Sequence, residues 1–397
     1  MEERLGKELV FIASPLMGHL MPFVQLAKLM LNLEPTLSIT FILIKLPAQS
    51  EVNTFIDTLC SAMMNERLCF VTLPPLEHNW SSTNRGVILD ELIQYHKPRI
   101  LHTISQLIAQ HGVDAVVVDL LSSTLIELVA DEFGIPGYVF FTSGAGFLGV
   151  MLRFQTLEDE LEEDTGKLKY ATTDLRMPCF VQPVPPAVLP SLLADYATWT
   201  ARFLRYARGC RKAKGILVNT FQELESYSLS SFSVLDSSSW YGKSSIPEIR
   251  AVGPVIYQST PQDEASDGLM KWLDDQAPSS VVFLCFGSMG SFGVDQVREI
   301  AYGIEQSKCP FVWMVKELGL AVEIPATVPD HDYKDKASVD LLIKAESVEK
   351  GIRRLILGED GKVIRGKVAQ MKEKSRENMQ EGGSSYESLG NFIRNVM

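Results

Sequence analysis

The chain has 397 residues, enough for two domains of ordinary size, each with its own core. Hydrophobic residues make up 46% and charged residues 22%, which excludes a disordered chain, and the net charge of −12 argues against a basic nucleic-acid-binding face. Six cysteines without a CxxC pair argue against a zinc site or a disulfide framework and lead us to expect reduced thiols in a cytoplasmic protein.

The first apolar run, 9–16, is too short for a signal peptide and leads into Gly18 and His19, so it reads as a buried first strand. No window approaches the ~20 apolar residues of a membrane span. Runs rich in Val, Ile and Phe recur at 9–14, 38–44, 69–73, 115–119, 138–142 and 215–219. They are continuous rather than alternating, as expected of strands buried on both faces. Helical patterns lie between them at 20–33, 87–110, 123–133 and 147–161. Strand, helix, strand in repetition predicts an α/β fold with an open parallel sheet, a Rossmann-like domain over residues 1–242.

Residues 243–268 turn to Ser, Pro, Gly, Asp and Gln and read as a linker. A second α/β domain is expected over 269–383. It begins with a strand at 281–286, the turn Gly287-Ser288-Met289-Gly290, a helix at 295–306 and a strand at 311–315. The remaining patterns, 344–357, 363–381 and 386–396, are helical, with 384–397 as a separate C-terminal helix; only 320–324 could add a strand. Two or three strands cannot cover their own faces. The second domain therefore reads as incomplete.

In an open parallel sheet, ligands bind outside the carboxyl ends of the strands. His19 follows the first strand at the start of a helix, whose dipole disfavours an imidazolium and so favours a neutral base. Asp119 ends Val116-Val117-Val118-Asp119 and would face the same crevice. An imidazole oriented by a carboxylate can take a proton from a hydroxyl nucleophile. The plainer readings are a structural histidine and an aspartate that caps the following turn. Gly287 and Ser288 would expose backbone amides and a hydroxyl suited to phosphate. Residues 144–149 match GxGxxG between a strand and a helix, but after the fifth strand rather than the first, so a bound NAD is not expected there.

Taken in order, several phrases resemble the plant family-1 UDP-glycosyltransferases. They include the His19 loop, Val116 to Asp119, Phe141-Thr142-Ser143-Gly144, Asn219-Thr220-Phe221-Gln222-Glu223-Leu224-Glu225, Val252-Gly253-Pro254-Val255 and Phe286-Gly287-Ser288-Met289-Gly290. The subgroup acting on phenolic and terpenoid alcohols is nearest, partly through Val188-Leu189-Pro190-Ser191. The resemblance implies a GT-B-like fold of two facing Rossmann-like domains, the second truncated. It also implies inverting transfer of a sugar, most simply glucose, from UDP-sugar to a small-molecule hydroxyl.

By the same resemblance His19 is the base and Asp119 its partner. Gly18 and His19 line the acceptor, Thr142 touches the sugar, and Gly287 and Ser288 meet the diphosphate. No metal and no cofactor beyond the UDP-sugar co-substrate are implied, and a monomer without nucleic-acid or membrane partners is expected.

The chain departs from the family in one place. The nucleotide-sugar signature box, with its uracil-stacking Trp, its His-Cys-Gly-Trp-Asn-Ser run and its terminal acidic residue and Gln, has no match; Trp313 and Met314 join the segments that should flank it. Losing three such contacts at ~1–3 kcal/mol each removes roughly two to six powers of ten in donor affinity. Weak transfer, or a non-catalytic remnant that binds acceptors or an intact relative, is the resulting expectation.

Overall fold

In the computed structural model the described residues are 6–47, 50–74, 85–186, 189, 199–233, 240–242, 245–257, 264–285, 292–313 and 342–396. They divide into two compact units. The first comprises Met1–Gln258 with Lys374–Met397, and the second Ser259–Glu373.

The first unit is built on a seven-stranded parallel sheet. Its strands are β1 (Lys7–Ile12), β2 (Leu37–Ile44), β3 (Leu68–Leu73), β4 (Ala115–Asp119), β5 (Gly137–Phe141), β6 (Gly215–Val218) and β7 (Glu248–Ala251). They lie in the order β3-β2-β1-β4-β5-β6-β7. The continuous apolar runs have the expected cause, since successive residues serve opposite faces. Val10, Ile12, Val116, Val118, Val139 and Phe141 enter one core, and Leu9, Phe11, Ala115, Val117, Tyr138 and Phe140 the other.

Helices cover both faces. On the first lie α3 (Arg85–His111), α4 (Leu125–Phe133), α5 (Ala145–Glu160) and α6 (Ala201–Lys212). On the second lie α1 (Met17–Leu33) and α2 (Glu51–Met63). A short helix, α7 (Ser226–Ser231), follows β6. Local signals set several ends. Ser50 caps α2 by accepting a hydrogen bond from the Asn53 N–H at 3.3 Å, and Gly134, at φ +66°, closes α4 in the left-handed conformation open to glycine. Between α3 and α6, buried Asp90 accepts hydrogen bonds from Arg202 Nε (3.2 Å), Arg205 Nη2 (2.5 Å) and the Tyr206 hydroxyl (2.7 Å).

Four elements of this unit, β7, α2, α6 and α7, lie where no strand or helix is expected from the sequence. β7 falls inside the stretch read as linker. It is a short edge strand, Glu248-Ile249-Arg250-Ala251, that buries none of its residues fully and so lacks an apolar run. Helix α2 buries Val52, Ile56 and Leu59, with Phe55, Cys60 and Met63 half-buried beside them against the same core, an ordinary amphipathic face.

The second unit contains α8 (Glu264–Asp274), β8 (Val282–Leu284), α9 (Val294–Ser307), β9 (Phe311–Trp313), α10 (Ala345–Leu357) and most of α11 (Glu359–Glu377). β8 and β9 pair in parallel. Helices α9 and α10 approach closely because Gly303 has no side chain; a Cβ there would stand 2.5 Å from that of Val348. Glu299 accepts a hydrogen bond from the Ala345 N–H at 2.6 Å and so caps α10. Among the described residues the buried core of this unit is Ile300, Ile304 and Ile352. The possible strand at 320–324 and the junction beyond Trp313 lie outside the described residues.

The final helix, α12 (Ser384–Val396), is part of the first unit. Leu389, Phe392 and Ile393 enter the core on the α1 face, and Phe392 meets Tyr138 edge to face at 4.9 Å. Ser385 donates to the Gly253 carbonyl at 2.6 Å.

Candidate active site

Strand order reverses between β1 and β4, since β2 and β3 lie to one side of them and β5 to β7 to the other. In open parallel sheets the chains leaving two such strands diverge, and it is at this carboxyl edge that a crevice is expected. Ser14 lies just past β1, Gly18 and His19 in the first turn of α1, Asp119 at the end of β4, and Thr142 directly after β5.

Asp119 has no exposed surface, and its carboxylate has three partners at this edge. His19 Nδ1 lies 2.7 Å from Oδ2. The Ser14 hydroxyl donates to Oδ1 at 2.5 Å, and the Leu121 N–H donates to the same oxygen at 3.1 Å. Asp119 therefore caps the turn that follows it and also holds the imidazole; the two readings of this residue are not alternatives. The His19 side chain is 26% exposed. With Nδ1–H donated to Asp119, Nε2 keeps its lone pair. Thr142 Oγ1 stands 3.4 Å from Nδ1.

Burial works against a charge on His19, but the charge of Asp119 and its hydrogen bond outweigh it, and the imidazole pKa lies above its ordinary value. For Asp119 burial acts in the opposite direction. It is overcome by the charge and hydrogen bond of His19 and by the bonds from Ser14 and Leu121, so the carboxyl stays below its usual range. The helix-dipole argument for a neutral imidazole is thus outweighed by the carboxylate beside it.

Gly18 is exposed, and a Cβ added there would meet nothing within 4 Å, so packing does not require a glycine. Gly287 and Ser288 lie outside the described residues, as do most of 188–191. Residues 144–149 do open a helix, but its N-terminus is already occupied. The Glu225 carboxylate accepts the Ala145 N–H at 2.8 Å and the Gly146 N–H at 2.9 Å. A Cβ on Gly144 would stand 2.7 Å from Glu225 Oε2, and one on Gly146 2.9 Å from Phe180. The glycines make room for neighbours within the chain, which leaves no place there for a pyrophosphate.

Ser14 and Glu225 carried no assigned role in the sequence. For Glu225 one signal was available: α5 opens on Gly144, which supplies no side-chain cap, so its first amides needed a partner from elsewhere. Among the described residues, no group of three or more His, Cys, Asp or Glu side chains is placed to hold a metal ion, and no helix is long and apolar enough to cross a membrane.

No family model matches the chain. Curated relatives do. UDP-glycosyltransferase 100 of Panax ginseng is 31% identical over 488 residues, covering 99% of this chain and 100% of the relative. UDP-glycosyltransferase 71E1 of Stevia rebaudiana is 32% identical, with 98% of each covered. Among solved structures, UGT71G1 of Medicago truncatula complexed with UDP-glucose superimposes with a TM-score of 0.79 at 27% identity, covering 100% of this chain and 99% of that one. A transferase from Siraitia grosvenorii in complex with UDP gives 0.78 at 28% identity, covering 98% and 99%.

Proposed function

The chain belongs to the plant UDP-glycosyltransferases and has their GT-B fold, and from that premise we propose that His19 is the base for transfer of a sugar from UDP-sugar to a hydroxyl of a small plant metabolite. The observation that carries the reading is the 2.7 Å contact of His19 Nδ1 with the buried Asp119 carboxylate at the sheet's reversal point. Nε2 takes the acceptor's hydroxyl proton, and Asp119 stabilises the imidazolium that forms. The freed oxygen bonds to the anomeric carbon as the bond from that carbon to the diphosphate oxygen breaks. UDP leaves with the bonding pair, and the configuration inverts. Thr142, beside His19, would meet the sugar, and the bare backbone at Gly18 leaves space for the acceptor.

A second reading, weak transfer or none, is favoured by a specific observation. The match to the first ginseng relative runs 488 residues while the chain has 397, so at least 91 aligned positions have no counterpart here. We place that gap at the Trp313–Met314 junction, on the missing signature phrases. In this reading the first unit binds a phenolic or terpenoid acceptor and nucleotide binding is lost.

Calorimetry with UDP and with a flavonol, alongside a product assay with UDP-glucose, separates the readings. Acceptor binding without UDP binding would favour the second reading. Brisk glucoside formation, abolished in His19→Ala, would remove the second reading and keep the first; activity untouched in His19→Ala would remove the first.

A further inference from the structure

Glu225 has no part in the proton transfer described above, yet it touches the loop that carries Thr142. It stands just past β6, at the residue preceding α7. Its two carboxylate oxygens bridge the first two amides of α5, at 2.8 and 2.9 Å, and so tie the loop after β6 to the loop after β5. A full negative charge at the N-terminus of a 16-residue helix also sits where the helix field is most favourable to it. The tie is specific in shape, because Gly144 and Gly146 are bare where a Cβ would collide with Glu225 Oε2 or Phe180. Three residues before the first clamped amide is Thr142, whose hydroxyl lies 3.4 Å from His19 Nδ1. Clamping the start of α5 therefore fixes where Thr142 stands against the imidazole.

We propose that Glu225 is a positioning residue for the His19 site: by occupying the N-terminus of α5 with an internal carboxylate, it sets the loop after β5 and, through Thr142, the environment of His19. This rests on the reading of His19 and Asp119 as the reacting pair, but it concerns a different contact and can fail separately. It also gives the GxGxxG-like turn a purpose within this fold, as the cradle of a side chain rather than of a nucleotide.

The test is a double-mutant cycle read on the His19 imidazole by NMR titration of the full chain, its resonance assigned by loss in His19→Gln. Glu225→Ala should lower the His19 midpoint by a few tenths of a pH unit, the scale of one weakened neutral contact. In a Thr142→Ala background the same substitution should add nothing, because its route to His19 is gone. An equal shift in both backgrounds would mean that Glu225 acts by charge alone, and no shift in either would make it only a helix cap; each outcome overturns the proposal. Glu225→Gln serves if the alanine variant does not fold: its amide nitrogen cannot accept, so one of the two clamping bonds is lost, and a smaller shift in the same direction, again absent in the Thr142→Ala background, is expected. Asp119→Asn is the control: if it leaves the midpoint unmoved, the pairing of His19 with Asp119 fails, whatever Glu225 does.

Discussion

The two units of this chain solve the same packing problem with different success. In the first, every strand from β1 to β6 has helices over both faces, and aromatic rings lock the core, with Phe11 edge-on to Phe23 at 5.8 Å and to Phe41 at 5.3 Å. In the second, among the described residues, two three-residue strands pair and three isoleucines form the buried core. Phe283 on β8 is 64% exposed. A parallel sheet is stable when helices exclude water from both sides, and that needs apolar area in proportion. The difference teaches that the first unit, with α12 packed into one of its cores, carries its candidate site on a fully packed sheet.

Ways to break this comparison begin in the larger core. Phe11→Ala should destabilise the first unit by about 3–5 kcal/mol, since it removes a fully buried ring from a well-packed layer. Urea unfolding monitored by hydrogen exchange would assign the loss to that unit, and a change below 1 kcal/mol would contradict the packing described.

Next in size is Asp90→Ala, expected to cost about 2–3 kcal/mol because it removes the acceptor of Arg205 and of the buried Tyr206 hydroxyl; the half-exposed Arg205 recovers part of its hydration. Asp90→Asn, which keeps some of the bonds, should cost less when both variants are compared by urea unfolding.

His96 sharpens the comparison through pH. It is fully buried on α3, both ring nitrogens lack a partner among the described residues, and burial, reinforced by the charge of Arg99, lowers its pKa to about 4. The unfolded chain takes up this proton near pH 6.5 and the folded one only near 4. Stability should therefore fall as pH drops through that window, by about 1.4 kcal/mol per pH unit at most. Melts of His96→Leu at neutral pH and at pH 5 should show this part of the slope removed.

Smallest of all, Phe283→Ala in the second unit should change stability by less than about 0.5 kcal/mol. A loss comparable to that of Phe11→Ala would mean that the ring is covered in solution.

Much of the first unit was legible from the chain alone. Runs such as Val116-Val117-Val118 fit strands buried on both faces, and the repeating strand and helix pattern implies a parallel sheet whose carboxyl edge is where a site is expected. His19 and Asp119 were readable because each directly follows such a strand. Less was legible where burial is partial. Glu248-Ile249-Arg250-Ala251 carries no apolar run because an edge strand needs none, and the docking of Phe392 on Tyr138 joins residues more than 250 positions apart.

What the amino-acid order determined by itself was the alternation of strands and helices and the placing of an imidazole and a carboxylate at strand ends, because hydrophobic period and strand termini are local properties. The tertiary structure alone decided that Ser14 and His19 converge on one carboxylate, that this carboxylate raises the imidazole pKa against the helix field, and that Glu225 fills the GxGxxG-like turn. Those outcomes depend on distances between groups some 80 to 105 residues apart, and such distances are set only when the sheet closes.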